Sequence, residues 1–192
     1  MRVCLSGNAA RAYALLVGAC VMPSSALAAR YSVDPETAEL RYTVQNMVGV
    51  FRDYQADLTV EPSDLSASSL TVTVPVASAD MDNALFNRYL TNRAFFDAGR
   101  HPQARFVSRS VTPKPPDQLQ VSGELTLKGV TQPVTMTVTV DAPNGLAAFE
   151  SAEPVAIHGV AEVQRSAFGI DWELDEVADR VTIEIEGRIK PD

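Results

Sequence analysis

Few residues of this chain have the types and spacing that chemistry needs. His101 and His158 are its two histidines. His158 falls on the polar parity of an alternating stretch and His101 stands before Pro102 in a loop, so both read as surface residues rather than an acid–base or metal pair. The acidic run Asp171, Glu173, Asp175, Glu176 and Asp179 offers oxygen ligands of the kind calcium takes. It lacks the glycine-containing loop of known motifs, which leaves a solvated loop. No serine stands in a Gly-x-Ser-x-Gly elbow. Two guanidinium groups are of more interest. Arg165 is in phase with Val155, Ile157, Gly159, Ala161 and Val163, and Arg52 with Val50, Tyr54 and Leu58. Each would be aimed at an apolar interior and would need an anionic or carbonyl partner there. For Arg165 the alternatives are a pair with the acidic run, or a bulge that turns it outward. No catalytic constellation emerges, and the chemistry open to these residues is binding.

The elements that must position them are strands. Leu119, Val121, Gly123, Leu125 and Leu127 alternate with polar residues up to Lys128-Gly129, and Val134, Met136, Val138 and Val140 alternate with threonines after it. Period two places every apolar side chain on one face. The pattern predicts eight strands, near Ala38–Val44, Val50–Val60, Ser69–Val76, Arg105–Thr112, Leu119–Lys128, Pro133–Asp141, Val155–Gln164 and Arg180–Ile189. One segment departs from it: Met81, Leu85 and Tyr89, with Phe86 and Leu90 beside them, recur at helical spacing. A short helix near Met81–Asn92 is therefore expected, its first turn capped by Asp80 or Ser78. Alternation alone fits a sandwich as well as a barrel, but runs of about ten residues suit a tilted barrel wall better.

The first residues read as a secretory signal: Arg2 and Arg11, an apolar run from Ala12 to Met22, and Ala26-Leu27-Ala28 as a cleavage site. The run is about half the roughly 20 residues that a membrane span needs. A lipid anchor at Cys20, in a loose lipobox Val17-Gly18-Ala19-Cys20, is the alternative. Residues 1–28 are thus expected to be removed and 29–192 to form one domain. Both cysteines, Cys4 and Cys20, fall in the removed part, so the mature domain would have neither disulfide nor thiolate chemistry. Removing Arg2 and Arg11 takes two positive and no negative charges from a net −8, leaving −10. Such acidity opposes binding to nucleic acid and to anionic lipid. No later segment is apolar and long enough to span a bilayer, so no stable membrane insertion is expected.

An eight-stranded barrel is just wide enough to fill itself or to hold one small ligand. The inward positions here are mostly Val, Leu, Ile and Ala, which leaves room. Such a lumen suits an apolar, elongated guest, because a buried polar atom would lose water without compensation. At about 0.8 kcal/mol per methylene, a chain of roughly 15 carbons gains on the order of 12 kcal/mol, against an association cost of about 4–15. The tail must supply the affinity and the head can only select. Tyr42, Tyr54, Val72, Val74, Phe86, Tyr89, Leu90, Phe106, Leu125, Val138, Arg165 and Phe168 are the expected lining. Tyr89, Phe95, Phe96, Phe106, Phe168 and Trp172 form an aromatic set suited to closing the base, packing the helix or lining the mouth.

Three runs together resemble one family. They are Asn83…Leu90…Phe95-Phe96-Asp97…His101-Pro102…Phe106…Ser108, then Val121-x-Gly123-Glu124-Leu125-Thr126-Leu127-Lys128-Gly129-Val130-Thr131-Gln132-Pro133-Val134, and Arg165-Ser166-Ala167-Phe168-Gly169-Ile170. With Tyr31-x-Val33-Asp34-Pro35 and Gly49-x-Phe51 at the start, the order and spacing are similar to the YceI family across the mature chain. The resemblance implies an all-β, lipocalin-like, eight-stranded antiparallel barrel, free in the bacterial periplasm, that holds an isoprenoid or other long-chain lipid and needs no other cofactor. It implies a non-enzymatic carrier whose partner is a hydrophobic small molecule, compatible with a homodimer. The alternative is an accessory envelope protein with a filled barrel, and a third reading is an enzyme acting on a lipid head through Tyr89, His101 or Arg165. Where family members usually carry Arg-Asp and then His before the helix leucine, this chain has Phe86-Asn87 and Tyr89, so a different head or a plainer hydrocarbon is expected near the helix.

Overall fold

The computed structural model describes residues 29–34, 36–151 and 153–192. The expected signal segment and its cysteines lie outside the described residues. Eleven strands form one antiparallel sheet: β1 Ala29–Val33, β2 Glu39–Val44, β3 Met47–Phe51, β4 Gln55–Val60, β5 Ser69–Pro75, β6 Ala79–Asp80, β7 Gln103–Lys114, β8 Gln118–Leu127, β9 Val130–Asp141, β10 Val155–Gln164 and β11 Arg180–Pro191. The order β1-β4-β5-β7-β8-β9-β10-β11 closes on itself, because β11 also pairs with β1. The result is an eight-stranded barrel, which removes the open sheet edges that an apolar inner face would otherwise expose.

Closure depends on a strand that alternation did not reveal. β1 pairs with β4 through Ala29↔Val60 and with β11 through Tyr31↔Pro191. It is short, and Tyr31 is its one buried residue, so its pattern barely rises above its surroundings. β11 is long enough to take two neighbours on one edge, with β1 against its end and β2 against Thr182–Glu186. Where the chain passes between β1 and β2, Ala38 comes so near Gly187 that a Cβ there would sit 2.9 Å from the Ala38 Cα. Only glycine permits that approach.

The stretch expected as a single strand over Val50–Val60 is broken at Arg52–Tyr54 into β3 and β4. β3 turns away to pair with β2 and β6, and β4 stays with β1 and β5. The break shifts the parity on which Arg52 was placed inside. Arg52 is instead exposed, and its guanidinium meets the Asp80 carboxylate at 3.0 Å. The Lys128-Gly129 turn is as read: both residues have positive φ, the two-residue geometry that matches strand twist.

The helix α1 spans Ala84–Leu90, shorter than the spacing suggested. Its cap is Asn83, whose side-chain oxygen accepts from the Leu85 and Phe86 amides. Asp80 accepts instead from the Asp82 amide and the Asn87 side chain, and Ser78 donates to the Pro75 and Asp53 carbonyls. At the opposite end of the barrel a tight turn, Gly145–Glu150, buries Ala148 and Phe149. Phe149 packs edge-on to Tyr31 and accepts its hydroxyl hydrogen bond. One end is thereby plugged, and α1 stands over the other.

Candidate functional site

The sheet's apolar face lines a lumen in two adjacent compartments. The larger has a volume of about 600 Å³ and is enclosed by the upper halves of the strands, α1, and the segment around Phe95 and Phe96. The smaller, about 100 Å³, runs down to Phe149 and Ile189. They share Leu40, Leu70, Val72, Met136 and Ile185 as a common wall. Both compartments mix buried and half-buried side chains: Val121, Val138 and Phe149 are buried and Leu58 and Ile157 half-buried on the smaller, Val74, Val134 and Phe168 buried and Leu125, Val163 and Ile183 half-buried on the larger. The vacancy is concentrated at the open end, where side chains mostly of Val and Leu size leave about 600 Å³ against about 100 Å³ at the plugged end. A third depression of about 620 Å³ lies where β3 leaves β4, but it is bounded by Arg30, Arg52, Asp53, Asp57 and Asp192. Opposed charges in open solvent make a poor site for an apolar guest.

Ten of the twelve expected lining residues bound the larger compartment: Tyr42, Val72, Val74, Phe86, Tyr89, Leu90, Phe106, Leu125, Arg165 and Phe168. Tyr54 and Val138 lie on the smaller one, to which Val72 also belongs. Sequence reasoning left out Phe51, Met47 and Met81, which face the larger compartment. Phe51 was missed because the parity assumed through Arg52 put Val50, not Phe51, on the inner face. Phe95, Phe96 and Trp172 also line it, and their aromatic clustering was the available signal.

Arg165 borders the cavity without offering it a donor. It is buried, and each of its five N–H groups points at a backbone carbonyl. Nε donates to Ala178 at 3.0 Å, one terminal nitrogen to Ile170 at 3.2 Å and Trp172 at 2.7 Å, and the other to Val177 at 2.8 Å and Glu173 at 3.4 Å. The acidic run does meet this arginine, but through its carbonyls. Asp179 is held separately. The Ser166 amide and then the Ser166 hydroxyl donate to it, keeping its carboxyl below the usual range. The Arg165 charge acts in the same direction as a lesser cause. Together these contacts fold residues 169–179 into one rim of the mouth.

Tyr42 also faces the larger compartment, from β2. Its ring lies over Gly49, where a Cβ would come within 2.3 Å of the hydroxyl, and packs 5.1 Å from the Phe51 ring. Burial, and secondarily the Asp80 charge, push its phenol pKa far above the ordinary value. The hydroxyl has no hydrogen-bond partner among the described residues. Asn87 ties α1 to β6, receiving the Met81 amide and donating to Asp80. The residue that departs from the family pattern at this position is therefore a structural tie, while Phe86 and Tyr89 present rings at the mouth.

His158 lies on the outer wall, 3.8 Å from Glu186, and the His101 ring packs on the Gly129 turn. Among the described residues no group of three or more His, Cys, Asp or Glu side chains is placed to hold a metal ion. What the arrangement can do is enclose a hydrophobic molecule, with few polar groups to orient it.

Comparison with known proteins places this barrel among relatives. Protein YceI of Escherichia coli O157:H7 is 34% identical over 119 residues, 58% of this chain and 62% of that protein. The matched stretch thus spans less than two thirds of the curated relative's length. The crystal structure of Burkholderia cenocepacia BcnA is 28% identical and superposes with a TM-score of 0.73 over 82% of this chain and 99% of that one. A polyisoprenoid binding domain from Saccharophagus degradans, implicated in plant cell wall breakdown, shares the fold at 13% identity, with a TM-score of 0.61 over 85% of this chain. The model of the YceI-like domain matches residues 31–189, and the chain belongs to that family.

Proposed function

We propose that this protein is a non-enzymatic carrier in the bacterial periplasm that sequesters one long-chain amphiphile, an isoprenoid quinone, a polyprenyl compound or a fatty-chain lipid, inside its barrel. The observation that carries this reading is the lumen: two adjacent apolar compartments with a shared wall, the larger about 600 Å³, closed at one end by Phe149 and reached at the other past α1. The guest's tail would lie along Val72, Val74, Phe106, Leu125, Val138 and Phe168, with Tyr54 deep in the smaller compartment and Phe86, Tyr89 and Leu90 over the mouth. Tyr42 and the stem of Arg165 would complete the wall. A related fold that binds polyisoprenoid supports the guest's class, and the Ala26-Leu27-Ala28 cleavage pattern supports export. An accessory protein with a filled barrel fits poorly with so large a vacancy.

The magnitudes agree with a lipid guest. Each methylene moved from water to this wall contributes about 0.8 kcal/mol, and few side-chain donors face the lumen to select a head group. Delipidated protein offered an isoprenoid quinone or a polyprenyl alcohol should co-elute with it on gel filtration at one molecule per chain. Failure to take up either, or a matching fatty acid, would overturn the reading.

A further inference from the structure

The large hydrophobic side chains that the described residues leave exposed are gathered in one place. Val48, Leu85, Phe86, Tyr89, Trp172 and Leu174 are each 40% to 60% exposed. They sit on three segments: the β2–β3 hairpin, α1, and the loop after Arg165–Phe168. These segments meet at the open end of the lumen. The Trp172 ring packs at a tilt 5.3 Å from that of Phe95 in the chain following α1, and Gln45 of the hairpin donates to the Glu176 carbonyl of the loop. Phe86, Tyr89 and Trp172 line the larger compartment and also face outward. Single exposed apolar residues need no explanation, but six around one opening do.

We propose that this rim seats reversibly on the surface of a zwitterionic lipid bilayer, so that an amphiphile passes between bilayer and lumen without crossing water. The inference rests on the carrier reading above. Trp172 and Tyr89 have the apolar ring and polar tip that settle at the head-group level of a membrane. Exposed Arg88 on α1 and Arg93 just after it suit lipid phosphates, while Asp171, Glu173, Asp175 and Glu176 beside Trp172 and Leu174 oppose an anionic surface. A second copy seated mouth to mouth would bring two such acidic runs together and seal both lumens, leaving the guest no exit. A neutral bilayer meets neither objection.

Trp172 is the chain's single tryptophan and reports the contact. Leu85 and Leu174 belong to the rim but not to the cavity wall, so a Leu85→Ser, Leu174→Ser double variant alters docking and spares the lumen. Wild-type protein should float with phosphatidylcholine vesicles, and its emission should be quenched by brominated acyl chains. The double variant should partition at least tenfold less while binding a dispersed fluorescent fatty acid within twofold of wild type. Fatty-acid uptake without vesicle binding by the wild type would overturn the docking and leave the carrier reading standing. Equal flotation of the variant, tighter binding to phosphatidylglycerol vesicles, or concentration-dependent self-association in place of flotation would also overturn it. No fatty-acid uptake by either protein would remove the carrier reading and the docking with it.

Discussion

Filling the smaller compartment should shorten the guest that this barrel accepts. Val138 faces that space and does not reach the larger one, so Val138→Trp blocks the deep end and leaves about 600 Å³ above it open. The lost volume is about 100 Å³. At about 30 Å³ for a water-sized group, that is room for roughly three methylenes. Their burial is worth about 0.8 kcal/mol each, so a guest long enough to use both compartments should bind about 2.4 kcal/mol more weakly, roughly 50-fold. A guest short enough for the larger compartment should be unaffected. Titrating a homologous series of alkyl chains against both proteins reads this directly, as a loss that begins at a threshold length. Overpacking costs about 1–3 kcal/mol of stability, and melting of the unliganded variant measures that separately. A loss of the same size at every chain length, or none at any length, would refute the two-compartment reasoning.

Three further outcomes follow from named contacts. Replacing Arg165 by Met leaves five carbonyls of the mouth loop without their donor. With charged hydrogen bonds worth about 1.5–3 kcal/mol each and partial rehydration of the loop, stability should fall by about 3 kcal/mol. Proteolysis should then begin between residues 169 and 179; an unchanged melt with weakened guest binding would instead mean that Arg165 holds the head group. Tyr42→Phe removes a buried hydroxyl without a partner among the described residues and should raise stability by about 1 kcal/mol, or about 2–4 °C in Tm. A lower Tm would show that the hydroxyl is paired. The carboxyls of Asp80 and Asp179 are both held below their ordinary range, the first chiefly by the Asn87 amide and the second chiefly by the Ser166 backbone N–H. Groups depressed in this way stabilise the fold at neutral pH, and the contribution is lost as pH falls through their native values. Hydrogen exchange should therefore show the β6–α1 corner and the 165–179 loop opening as pH falls below about 4, and Asp179→Asn should blunt the change in the loop.

The wall of this barrel was legible because its strands alternate strictly. β8 and β9 carry five and four apolar residues in phase, and their turn is set by Lys128-Gly129, so pairing, face and register follow from the residues alone. The closing strand was not legible, since β1 has only Tyr31 to mark its inner face and its partners are residues 58–60 and 189–191. Parity failed where backbone continuity failed. The break at Arg52–Tyr54 reversed which side chains face inward, hiding Phe51 and placing Arg52 wrongly. Arg165 shows a different limit: alternation located it at the end of β10 pointing inward, but nothing in the pattern tells that 169–179 would wrap its carbonyls around the guanidinium. The size of the lumen was accessible only as a composition of modest side chains, because whether such residues meet across a barrel depends on its width.

Everything in this reading turns on what the lumen holds when the protein is made in its own compartment. Native mass spectrometry of protein purified without detergent, followed by solvent extraction, measures that. The expected spectrum shows the chain with one added mass, released by solvent as a single long-chain amphiphile. A chain of bare mass, with nothing extracted and no uptake of offered isoprenoid or fatty-chain lipid, would contradict it.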